Sequence, residues 1–191
     1  MIHRPISIGG RRILSEQGKK DKIVESAVLG NIGHIIIVLI TGRIMRFLDQ
    51  FNALSMYHGS KIVFLAIIFI LTLFFWFLIG MRSTKNQRDH LWVHGIATAV
   101  IAILPILFFT ILSNIFSYSI ENAEALTRWN RFYLVGGPTL FWHRPFSLVS
   151  EILVEHYATT SSYLVFYLNI LFVGLALYFG SVFFGRSAKR R

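Results

Sequence analysis

The chain has 191 residues, of which 54% are hydrophobic and only 15% charged, and its mean hydropathy is +0.60. Soluble domains carry about 25% charged residues, so a soluble globular fold is excluded: the polar surface is too small to cover this much apolar side chain. The chain contains no cysteine, which removes disulfides, thiol catalysis, thiolate zinc sites and iron–sulfur clusters, and its net charge of +10 comes from basic residues at the ends of apolar runs, the pattern of membrane anchors rather than of a nucleic-acid surface.

Residues 1–25 are polar and carry Arg4, Arg11, Arg12, Lys19, Lys20 and Lys22. They are expected to form a basic cytoplasmic arm lying against anionic headgroups. Ala53-Leu54-Ser55 has small-x-small spacing, but the polar stretch ahead of the first apolar run is long for a signal peptide. A first membrane helix is expected over about 26–47. Its uncharged part ends at Gly42, and Arg43 and Arg46 extend it by snorkelling to the interface. Ile44, Phe47, Leu48, Phe51 and Leu54 continue the helical spacing, so the helix is expected to run on out of the bilayer.

The second helix, 62–81, is twenty residues without a charge, long enough for the roughly 30 Å hydrocarbon core. Ala66 and Gly80 are its only small residues, so most of its surface is expected to face lipid or a bulky partner. A short basic link with Arg82, Lys85 and Arg88 leads to the third helix, 90–113, which holds Pro105 and a stripe of Gly95, Ala99 and Ala102 suited to close helix packing. The stretch 114–162 is expected to hold short interfacial helices. Ile120 to Phe132 is amphipathic, Gly136-Gly137-Pro138 is a turn, and 145–157 begins with proline and places Phe146, Val149, Ile152 or Leu153, and His156 on one side. Phe132, Tyr133, Phe141, Trp142 and Phe146 read as an aromatic belt. The fourth helix, 163–184, carries Gly174, Ala176, Gly180 and Ser181, and a basic tail, 185–191, follows.

The fold class expected is thus an all-α integral membrane protein. It has four transmembrane helices in one membrane domain, 26–184, and both termini are cytoplasmic. Of the nineteen basic residues, thirteen fall in the arm, the 82–88 link and the tail, which places those three on the inside.

Polar groups inside the spans are the candidates for chemistry, because hydrocarbon penalises them unless they pair or function. Asn31 and His34 lie three apart on one face of the first helix. His90 and His94 lie four apart at the cytoplasmic end of the third, and Asn169 sits in the outer half of the fourth. One chemistry open to them is a b-type haem, with His34 and His94 as axial ligands and Asn31 and Asn169 as buried polar neighbours. Helical rise puts His34 roughly 10–16 Å and His94 about 5 Å below the same surface, whereas axial ligands meet one iron at one level. The competing expectation for His34 is an interhelical hydrogen bond. The run DHLWVH (89–94) lacks the glutamate of H-E-x-x-H, and no metal set is assigned.

A quinone or lipid-headgroup site is the second candidate, built from Arg128, Trp129, Arg131, Trp142, His143 and Arg144. The same residues make an aromatic belt with snorkelling arginines. The spans hold no carboxylate, and the chain has no nucleophile elbow or glycine-rich phosphate loop. Coupled transport, hydrolysis and nucleotide binding are therefore disfavoured.

The function expected first is a non-catalytic subunit of a larger multi-protein membrane complex, with other membrane subunits and the bilayer as partners and no nucleic acid. The alternative is a redox membrane anchor that binds haem b or quinone, and a third reading is a carrier of lipid or a small molecule. The expected location is a bacterial or archaeal cytoplasmic (inner) membrane; a mitochondrial inner membrane fits the same charge pattern with the matrix as inside.

Overall fold

The structure is a computed structural model that describes residues 8–50, 58–85, 91–120, 134, 136–156 and 162–188. Its elements are α1 (Ile8–Gln50), α2 (His58–Ser83), α3 (Leu91–Ile120), α4 (Gly137–His143), a 3-10 turn (Arg144–Phe146), α5 (Ser147–His156) and α6 (Ser162–Ala188). Four helices contain segments long and apolar enough to cross a bilayer: Lys20–Phe47, Ile62–Ser83, Leu91–Phe116 and Tyr163–Phe183. Each overlaps the span expected from the sequence, and each helix runs on past it.

The four long helices alternate in direction. At one end the Lys22 ammonium donates to the Lys85 carbonyl at 2.9 Å, Arg82 pairs with Glu25 at 2.8 Å, and Gly95 lies against Ser181. At the other end Tyr163 donates to the Ser113 carbonyl at 2.9 Å, and Asn114 donates to the Tyr167 hydroxyl at 3.3 Å. The Arg82–Glu25 pair is 56% exposed on both sides, where screening leaves little net gain. Glu25→Gln is expected to cost less than about 0.5 kcal/mol, a cost that vanishes in high salt. Melting in detergent at low and high salt checks this; a salt-independent loss would mean that the pair clamps the helix ends.

Bulky α2 leaves most of its span unburied, as its composition suggests, but one face packs inward. Leu65, Ile68, Thr72, Trp76 and Ile79 form a buried face at helical spacing, and Gly80 brings α2 into backbone contact with α6. A Cβ on Gly80 would fall on the Leu177 carbonyl, and a Cβ on Gly180 would fall on the Phe77 carbonyl. One glycine on each helix suffices for the approach. Hydroxyls then stitch the seam: Ser181 donates to the Gly80 carbonyl at 3.0 Å and Thr84 to the Ser181 carbonyl at 3.0 Å.

The residues expected as the arm are continuous, from Ile8 on, with the first span, since α1 is one helix of 43 residues. The segment around Trp142 is not a belt along the membrane plane. Trp142 and Phe146 belong to the core that Ala27, Trp76, Ala102, Ile170 and Leu177 build between the long helices. An aromatic-rich run buries equally well at an interface or among helices, and composition does not separate the two. The amphipathic run Ile120 to Phe132 lies, beyond Ile120, outside the described residues, as do His90, Arg128, Trp129, Arg131, Phe132 and Tyr133.

Candidate functional site: an inserted segment among the four helices

The site begins with the small residues of α1. A Cβ on Gly30 would meet the Trp76 ring, and one on Gly33 the Phe75 ring. These two glycines let the large rings of α2 lie flat on α1 and leave His34, one residue on, pointing into the bundle. His34 is fully buried. The Trp76 indole donates to His34 Nδ1 at 3.2 Å. An indole N–H only donates, so Nδ1 accepts and the proton sits on Nε2, which donates to the Trp142 carbonyl at 2.9 Å. Both ring nitrogens are therefore engaged. Trp142, Phe146 and Trp76 surround the ring, with centroids 4.4, 5.8 and 5.7 Å away.

That bond holds α4 at mid-bundle. A segment lodged between membrane helices must satisfy its own backbone, and this one does so with a helix, a 3-10 turn and a carbonyl capped by His34. Pro138, in the first turn of α4, removes one donor that would otherwise lack a partner.

His143, the next residue, points towards α3 and α6. Its ring stacks on Phe166 at 4.4 Å with the planes 12° apart. The Asn169 amide lies 3.4 Å from Nδ1, and the Thr110 hydroxyl 3.4 Å from Nε2. With Asn169 as donor, His143 in turn donates to Thr110. Trp142 Nε1 and Asn169 Oδ1 are buried here without a hydrogen-bond partner.

On the other side of α4 a groove of about 540 Å³ opens between α1 and α3, walled by Ala27, Asn31, Ile101, Pro105, Phe141 and Trp142. Asn31 closes its base by donating to the carbonyls of Ala27 at 3.1 Å and Ala102 at 3.0 Å. Its two amide hydrogens are then committed, which leaves the side-chain oxygen as an acceptor.

The structure brings together Asn31, His34, Asn169, Trp142 and His143, drawn from both candidate groups. It keeps His94 away. The Asn31–Ala102 bond sets α1 and α3, which run in the same direction, in register, and His94 then lies about 16 Å from His34 along the axis. His94 is half-buried, and its carbonyl accepts from Thr98 at 2.8 Å. Arg144 is half-buried, with its guanidinium over Gly42 of α1. Among the described residues no three metal-ligating side chains gather.

Sequence patterning does not single out Trp76 or Thr110, although Trp76 carries a signal. An indole N–H in the middle of a charge-free span needs an acceptor, and His34 was a buried acceptor to hand.

Fold and site define a class, the multi-pass helical membrane protein, with a short helical segment inserted among its spans. Comparison with protein families, curated proteins and solved structures finds no match for this chain.

Proposed function

We propose that this chain is a non-catalytic subunit of a larger membrane complex, with both termini and the 82–88 link on the cytoplasmic side of a bacterial or archaeal inner membrane. The observation that carries this reading is the length of α1. The helix starts at Ile8, whereas its uncharged run starts at Ser26, so about 27 Å of charged helix precedes that run. This stretch carries Arg11, Arg12 and Lys19. It is suited to a partner with acidic surface. The polar side chains of the spans support the same reading, because Asn31, His34, Thr72 and Ser181 are engaged in bonds within the protein.

Gly18 provides the test. It is exposed, and nothing lies within 4 Å of where its Cβ would be; the chain has no native cysteine. Gly18→Cys carrying a benzophenone label is expected to give one protein adduct, and that protein is expected at fixed ratio in the mildly solubilised complex. A chain that elutes alone, with label on lipid only, would end the reading. An absorption spectrum of the same preparation tests the redox alternative: a Soret band lost in His34→Ala would replace the scaffold with a cytochrome.

The groove between α1, α3 and α4 favours a second reading, a carrier of lipid or of a small apolar molecule. Its volume falls within the range of ligand pockets, and Asn31 offers one acceptor. An apolar ligand co-purifying at one per chain without partner proteins would favour it.

A further inference from the structure

We infer that Arg144, lying over Gly42 of α1, forms with Arg46 a binding site for the phosphate of an anionic membrane lipid. A Cβ built on Gly42 would come within 2.9 Å of Arg144 Nη1 and 3.2 Å of Cζ. The guanidinium thus rests on bare backbone, in a cradle that only glycine leaves open. Arg144 follows directly on the inserted helix α4 and precedes Pro145 and Phe146, which are buried. Its backbone is therefore anchored, and its side chain leaves the core at a set place.

The level suits a headgroup. The uncharged run of α1 ends at Gly42, so the guanidinium lies at the edge of the apolar span. Arginine at that depth reaches outward to phosphate. Arg46 stands one helical turn beyond Gly42 on the same face of α1 and is exposed, as is Arg43. Three arginines thus share one end of α1. Among the described residues no carboxylate or carbonyl pairs with Arg144, and the acidic side chains described, Asp21 and Glu25, belong to the opposite end of the bundle. A half-buried cation needs an opposite charge or strong acceptors, and guanidinium is the side chain best matched to phosphate oxygens. Charge complementarity therefore selects an anionic lipid over a zwitterionic one.

The test uses the full chain reconstituted in equimolar phosphatidylcholine and phosphatidylglycerol, extracted in mild detergent and weighed by native mass spectrometry. Wild type is expected to retain phosphatidylglycerol in preference to phosphatidylcholine. Arg144→Gln is expected to lower the retained phosphatidylglycerol about fivefold, and Gly42→Val to do the same by displacing the guanidinium. Arg46→Gln, at an exposed position that leaves the core intact, is expected to lower it in the same direction, so the site stays testable if Arg144→Gln fails to fold. Arg82→Gln, at the opposite end, is expected to leave retention unchanged. Equal retention of the two lipids by wild type would overturn the site, and so would full retention by both Arg46→Gln and a folded Arg144→Gln or Gly42→Val. Lipid retention is read independently of partner proteins, so this site and the subunit reading can fail separately.

Discussion

Replacing Gly80 with valine is expected to destabilise the protein by about 3 kcal/mol or more. The cause is the backbone of α6. The new Cβ would fall on the Leu177 carbonyl, and a carbonyl within a packed helix cannot rotate away as a side-chain tip can. α2 and α6 would have to separate along the whole seam, which would also stretch the Ser181–Gly80 and Thr84–Ser181 bonds, both 3.0 Å. Unfolding followed in detergent by tryptophan fluorescence reads the effect. Gly174→Ala is the control, because the nearest atom to its new Cβ is 3.9 Å away; it is expected to be neutral or slightly stabilising, since alanine favours the helix. Gly180→Ala acts on the same seam from the other helix, so its effect combined with Gly80→Ala is expected to be less than additive. A Gly80→Val protein as stable as the Gly174→Ala control would mean that the helices are not in backbone contact.

His34→Ala is expected to cost about 4 kcal/mol, from a cavity at mid-bundle together with two lost hydrogen bonds. His34→Phe separates the two contributions. It fills the ring's volume between Trp76, Trp142 and Phe146 but leaves the Trp76 N–H and the Trp142 carbonyl without His34. The expected cost is about 1–3 kcal/mol, in keeping with the modest value of interhelical bonds in membranes. The difference between the variants then reports packing. The two should also differ locally: Trp76 and Trp142 emission should shift to the red in His34→Ala, where the cavity loosens α4, and much less in His34→Phe. If His34→Phe matches wild type, packing alone retains the inserted segment and the two bonds contribute nothing measurable.

The small residues show how differently one signal reads in sequence and in structure. The Gly95, Ala99 and Ala102 stripe predicts close packing for α3, and Gly95 does lie against Ser181. Gly80 stands almost alone in a bulky helix, and by the same logic predicts an α2 whose surface is mostly unburied, as it is. Yet a single glycine met by Gly180 suffices for backbone contact, because close approach needs one bare point on each helix rather than a stripe. In the inserted segment the difficulty lies elsewhere. Pro138, Trp142, His143, Arg144 and Phe146 are residues that serve an interface and a helical core equally well, and their depth depends on whether the bundle has room for them. Gly42 leaves room for Arg144, and Gly30 and Gly33 let the Trp76 and Phe75 rings settle on α1, a helix about a hundred residues earlier in the chain.

The sequence by itself determined the membrane class and the four spans, and it left His34 two roles, a haem ligand or an interhelical hydrogen bond. These follow from local quantities: run length against bilayer thickness and the cost of a polar group in hydrocarbon. Only the tertiary structure decided that Trp76 and the Trp142 carbonyl are the partners of His34, that His143 joins Asn169 and Thr110, and that Arg144 rests on Gly42. Each is a meeting of residues from different helices, and it depends on the register and rotation of whole helices, which a hydropathy pattern of period 3.6 leaves free.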